Sequence, residues 1–230
     1  MRRAVEAWFG RALAAAVALV MCAVAAGAPS AQVGKLLPVD EADRDPTWLV
    51  FRARFLEAIR TREVTFLERA VDPRVKLGFG GDDGFAAFRR TWHPERADSP
   101  LWSVLGEILS LGGRFQDGNT FAAPYVYAAF GPPWDAFAHG VVVGENVRVR
   151  SRPDERASVL ARLSFDVVPV TSWGDRGPNP ADRRGWVKVR LKDGRAGYVA
   201  GRYVMSPVGW RAIFAKRAGE WRMEALVSGD

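Results

Sequence analysis

The sequence predicts an α+β protein with a helix-rich N-terminal part, and three observations predict it. Between residues 46 and 110 large apolar side chains recur at spacings of three and four. Trp48, Phe51, Phe55 and Ile59 form one such set, Phe85, Phe88 and Trp92 a second, and Trp102, Leu105 and Leu109 a third. That spacing lines one face of a helix. From 145 to 204 the period becomes two, in short runs such as Val147-Arg148-Val149-Arg150 broken by Pro, Gly, Asp and Ser, which is the pattern of half-buried strands. Residues 210–227 alternate again around Ala218-Gly219, as a β-hairpin does. The expected order is therefore a helix-rich domain over 46–133, a strand-built module over 140–206 and a C-terminal β-hairpin within 207–230.

The N-terminus bears on compartment. Arg2 and Arg3 precede an apolar run over 13–26, and the small residues Gly27, Ala28, Pro29, Ser30 and Ala31 follow. Residues 1–31 read as a secretory signal peptide cut between 28 and 32, and the run is too short and too rich in alanine for a membrane span. The only cysteine, Cys22, lies within this leader behind Met21, where a lipoprotein signal would place a small residue. The mature chain is thus expected to lack cysteine and disulfides. No second apolar run follows, so no stable membrane insertion is expected after cleavage, and the location is periplasmic or secreted.

The net charge is +7 over 230 residues, and the leader's three arginines and one glutamate account for +2 of it, leaving +5. Such a balance favours anionic surfaces, while export excludes nucleic acid as a partner. Nothing in the pattern specifies an oligomeric state.

Along the chain, 32–45 reads as a linker, and Asp45-Pro46 as the cap and first residue of a helix. A second helix over 63–71 is stopped by Asp72-Pro73. Residues 76–84 form a glycine-rich turn, with Asp82 and Asp83 as caps of the helix bearing Phe85 and Phe88. Ser99 and Pro100 open a fourth helix that Gly112-Gly113 closes. Phe121, Tyr125 and Tyr127 alternate within 115–130 and predict an extended segment, and Gly131-Pro132-Pro133 marks a boundary.

Within the strand module, Val147 and Val149 point to one face and Arg148 and Arg150 to the other. Asn146-Val147-Arg148, Arg150-Ser151, Pro153, Gly185-Trp186-Val187-Lys188-Val189 and Gly197-Tyr198-Val199 resemble the wording of the bacterial SH3 (SH3b) family over about sixty residues. The resemblance implies a five-to-six-stranded barrel that binds cell-envelope ligands, such as the stem or bridge peptides of peptidoglycan. Arg152 stands where the family has glycine, and Tyr198 where tryptophan is commoner. The loop over 173–185 is longer than the family's connection and is the first place to look for recognition. Candidate ligand-binding residues are Trp173 and Tyr203 as walls of an exposed groove, Trp186 and Tyr198 as partly buried barrel aromatics, and Arg150. The N-terminal helices with the terminal hairpin also resemble the pieces of an NTF2-like cone, in which case the barrel is an insertion.

An enzyme would need a catalytic set in the remaining chain. A papain-like site lacks its cysteine, and His93 and His139 stand alone without metal-ligand spacing. Glu107, Asp117, Asp82 and Asp83 are the carboxylates a glycosidase could draw on, and the turn over 78–84 lacks the ending of a phosphate loop. No catalytic residue, metal or cofactor is assigned. The leading expectation is a non-enzymatic envelope protein that binds wall peptide. An adaptor that meets an envelope protein through its helical domain and a wall hydrolase of unrecognised type are the alternatives.

Overall fold

The computed structural model describes residues 34–174, 177 and 184–229. The expected signal peptide with Cys22 lies outside the described residues, as do 175–176 and 178–183 of the long loop. The helices are α1 (Pro46–Thr61), α2 (Val64–Ala70), α3 (Phe85–Trp92), α4 (Leu101–Ser110) and the short α5 (Tyr125–Ala128). The strands are β1 (Val71–Lys76), β2 (Arg114–Asp117), β3 (Thr120–Ala123), β4 (His139–Val142), β5 (Val147–Arg150), β6 (Val159–Leu163), β7 (Val167–Ser172), β8 (Trp186–Arg190), β9 (Ala196–Ala200), β10 (Val204–Met205), β11 (Arg211–Arg217) and β12 (Glu220–Val227).

Two sheets result, and the chain between β3 and β11 separates them. The first has the order β1-β12-β11-β3-β2. Its middle is the terminal hairpin: β11 pairs antiparallel with β3, and β12 runs parallel to β1. The second sheet, β10-β4-β7-β8-β9-β5-β6, lies wholly between those two halves of the first. The fold is thus α+β with one sheet interrupted in sequence by the other.

Aromatic packing explains why the hairpin returns to the helices. Trp48 on α1 is fully buried, with its ring 4.4 Å from Phe121 on β3, 5.0 Å from Phe214 on β11 and 5.0 Å from Trp221 on β12. Four rings from four elements bury large apolar areas in one place, and none of the elements could cover its own face alone. Phe55, Leu67, Leu105 and Met223 complete this core. Ala218 and Gly219 both take positive φ, 50° and 86°, which gives the tight turn between β11 and β12. The strict alternation expected along β12 breaks after Met223. A bulge opposite Ile213 and Phe214 shifts the buried face from Ala225 to Leu226.

Several local expectations are corrected. The stretch before α1 is not a loose linker: Lys35 bridges Asp166, Leu36 N–H donates to Phe165 O at 2.8 Å and Glu41 N–H to Gly113 O at 3.0 Å. It therefore ties the helical layer to the second sheet. After α2 the chain enters β1 directly, and Pro73 is tolerated there because β1 is an edge strand. Asp82 and Asp83 do not cap α3, whose N-cap is Gly84. Asp83 instead accepts from Leu77 N–H at 3.0 Å and pairs with Lys76 at 2.6 Å, while Asp82 pairs with Arg90 at 3.0 Å. The segment 115–130 is not one strand. Asp117 accepts from Asn119 N–H at 2.7 Å and closes the β2–β3 turn, and Pro124 then starts α5, which takes Tyr125 and Tyr127 out of the sheet.

The second sheet curls over its own core without closing. Val149 of β5, Val168 of β7, Val187 of β8, Val199 of β9 and Val204 of β10 share one cluster, although β5 and β10 lie far apart in strand order. Among the described residues no pairing joins the end strands β10 and β6, so the expected closed barrel is an open, curled sheet.

Candidate functional site

The outward face of this curled sheet carries the candidate site. Alternation along β5 buries Val147 and Val149 and turns Arg148 and Arg150 outward. On β8 the buried Val187 and Val189 leave Trp186 and Lys188 outward, and on β9 the buried Val199 leaves Tyr198 and Ala200 outward. Gly197 is required where it stands, because a Cβ there would collide with Val149 Cγ1. Its absence lets β9 lie close enough to β5 for Arg150 to stand opposite Tyr198.

A groove of about 390 Å³ opens on this face. Trp186 and Tyr203 contribute its rings, Arg148, Arg150, Arg162 and Arg202 its cations, and Glu145 and Glu155 its carboxylates. A second hollow of about 660 Å³ continues past Trp186 and Arg202 to Arg184 and Gly185 at the end of the long loop. Together they make a track suited to an extended ligand.

The guanidinium groups are partly fixed by the backbone. Arg150 Nη1 donates to Ala157 O at 2.7 Å, and Arg162 Nη1 reaches Asn146 O at 3.4 Å. Asn146 takes a left-handed φ of 53°, and its N–H donates to Ser164 Oγ at 2.9 Å, which fixes the turn presenting that carbonyl. Arg202 lies over the Tyr203 ring at 4.9 Å, and interaction with Tyr203 raises it further above its ordinary value, so its charge is permanent. Arg152, where the expectation from the resemblance is a glycine, is not among the residues of positive φ, so its turn needs none.

Of the five residues singled out from the sequence, the structure brings Trp186, Tyr203 and Arg150 to this groove. Tyr198 shares the outward face but stands beside the groove, with Lys188 Nζ 5.9 Å from its ring centroid. Trp173 is elsewhere. It packs on the apolar cluster over Gly140, where an added Cβ would come within 3.0 Å of the Trp173 ring, so it covers the interior of the sheet. Sequence reasoning missed Arg148, Arg162 and Arg202. Arg148 and Arg162 face each other directly across the β5–β6 pair, which only the strand register reveals.

The other candidates lie away from this groove. His93 ends α3 with φ 44°, and His139 Nδ1 lies 2.9 Å from Asp135 O at the start of β4. Asn119 N–H holds the Asp117 carboxyl below its ordinary value, and Lys76 does the same for Asp83. Among the described residues no group of three or more His, Cys, Asp or Glu is placed to hold a metal ion, and no helix is long and apolar enough to cross a membrane. Comparisons with protein-family models, with curated proteins and with solved structures find no match.

Proposed function

We propose that this is an exported, non-enzymatic protein of the cell envelope whose module over 140–206 is SH3b-like and binds peptide or peptidoglycan in the groove beside Trp186. The rest of the chain is then an NTF2-like scaffold that carries this module as an insertion. The observation that supports the binding reading is the convergence of Trp186, Tyr203 and Arg150 on one groove. Rings offer a ligand large contact area at little entropy cost, and concave sites with a few fixed polar groups are where small ligands bind. The leader supports export.

The adaptor reading has one observation behind it. Leu49 and Val50 are adjacent on α1 and exposed at 48% and 71%, so the helical layer offers an apolar spot to a protein partner.

Co-sedimentation of the mature protein with purified peptidoglycan tests the leading reading. Retention is expected, and Trp186→Ala combined with Tyr203→Ala should abolish it. A wild-type protein that stays in the supernatant would sink the wall-binding proposal. Clearing of cell walls in a zymogram, lost in Glu107→Gln, would make the protein a hydrolase instead.

A further inference from the structure

The groove carries information about the charge of its ligand. Arg44, Arg54, Arg60, Arg96 and Arg217 each rest on a carboxylate of the protein's own. Arg148, Arg150, Arg162 and Arg202 have no such ion pair among the described residues. Arg148 and Arg162 are moreover direct cross-strand partners. Like charges in that position destabilise a sheet pair, so this module carries a local cost that an arriving anion would relieve.

The cations are also prepared. A guanidinium has five donors in a planar fork. Arg150 uses a donor on Ala157 O and Arg162 one on Asn146 O, while Arg202 uses its face on Tyr203. The remaining N–H groups stay available for bidentate contact with a carboxylate. Because the side chains of Arg150, Arg162 and Arg202 are already held, little of their rotamer freedom is lost on binding.

Glu145 and Glu155 decide between kinds of anion. Both line the same groove, and the Glu155 charge acts on Arg202. A polyphosphate strand would be repelled by them. A peptide bearing both signs would place carboxylates on the arginines and an ammonium against a glutamate, with its aliphatic parts on the rings.

We propose that the groove is a site for a zwitterionic peptide with at least two carboxylates, bound through Arg148, Arg162 and Arg202 and oriented by Glu145 or Glu155. This rests on the reading of the groove as a peptide site and adds the chemistry that selects its ligand.

Calorimetric titration of the mature protein tests it with three probes: Ala-Ala-Glu with free termini, Ala-Ala-Gln amide, which has no carboxylate, and tripolyphosphate. Ala-Ala-Glu should bind, at least about tenfold more tightly than the amide, and more tightly than tripolyphosphate. The double variant Arg148→Gln, Arg162→Gln should weaken Ala-Ala-Glu at least about tenfold with no fall in the thermal midpoint, which should rise as the like-charge pair is relieved. Equal binding of Ala-Ala-Glu and the amide would overturn the charge assignment and leave the groove a peptide site. Tighter binding of tripolyphosphate would overturn the zwitterionic ligand. Failure of both peptides, with retention on peptidoglycan intact, would overturn this inference alone, whereas loss of retention as well would remove the function it rests on.

Discussion

Asp45 joins the start of α1 to the returning strand β11, and replacing it measures what that junction contributes. Its Oδ1 accepts from Thr47 N–H at 2.7 Å and Trp48 N–H at 3.4 Å, capping α1, while Lys216 Nζ on β11 donates to Oδ2 at 3.1 Å. Trp221 Nε1 on β12 donates to Thr47 Oγ1 at 3.0 Å and completes the clasp. The Thr47 hydroxyl is the largest influence lowering the Asp45 carboxyl, which titrates at about 2 instead of 3.8. That difference corresponds to about 2.4 kcal/mol, and solvent screening of a rim ion pair reduces it to about 1–1.5 kcal/mol. Because the folded value is depressed, this contribution is present in full above about pH 4 and is lost as pH falls through about 2. Asp45→Asn keeps a capping acceptor and removes the charge, so it should cost about 1 kcal/mol at pH 7 and almost nothing at pH 2. Asp45→Ala also removes the cap and should cost about 2 kcal/mol at pH 7. Urea unfolding followed by tryptophan fluorescence reads both. An Asp45→Asn protein that loses as much stability at pH 2 as at pH 7 would refute the electrostatic account. A neutral Asp45→Ala would refute the clasp altogether.

The remaining predictions concern each sheet and their independence. Gly197→Ala should destabilise by about 1–3 kcal/mol through overpacking against Val149, and should weaken binding in the groove because β9 must move from β5; unchanged thermal and ligand-binding midpoints would contradict the close approach. Phe214→Ala, by contrast, should cost about 3–5 kcal/mol in the helical core and leave the groove's affinity unchanged in the fraction that stays folded. Excision of 125–209 in favour of a short turn should leave a cooperatively unfolding α+β unit, because Ala123 and Ala212 are already cross-strand partners; a non-cooperative melt by circular dichroism would show that the first sheet depends on the insertion.

What was legible in the sequence follows the range of each interaction. Asp45-Pro46 gives α1 its start because capping is decided within three residues, and the three–four spacing from Trp48 to Ile59 describes one continuous surface. Ala218-Gly219 marks its turn for the same local reason. The pairing of β12 with β1, about 150 residues apart in sequence, has no local signal, and burial of Trp48 by Phe121, Phe214 and Trp221 decides it. Tyr125 and Tyr127 show the opposite failure. Their alternation imitates a strand, but Pro124 ahead of them and the completed turn at Asp117 to Asn119 commit the chain to α5. In the site, Tyr203 stood out as an aromatic flanking a loop and Trp186 as the aromatic of Gly185-Trp186-Val187-Lys188-Val189, whereas Trp173, chosen on the same ground as Tyr203, covers the interior instead. Arg148 and Arg162 looked like ordinary outward charges until register placed them opposite one another.

The same register bears on how the second sheet can be accommodated inside the first. The insertion leaves after β3 and returns at β11, two strands that pair with each other. The chain ends it must join are therefore already adjacent, and closing them adds little entropy cost to the first sheet. Arg148 and Arg162 of the groove lie on β5 and β6, whereas the attachment runs through β4 and β10 at the other end of the strand order. Ligand charge at Arg148 and Arg162 thus acts far in strand order from the junction that Trp48 and Asp45 secure. Substitutions that change what the groove accepts should leave the stability of the first sheet where it was, and destabilising the Asp45 clasp should leave the groove's selectivity unchanged in the folded fraction. Coupling between the two in a double-mutant cycle of Asp45→Asn with Arg148→Gln would mean that the sheets communicate, through the strap at Lys35 to Glu41 that hydrogen-bonds to both.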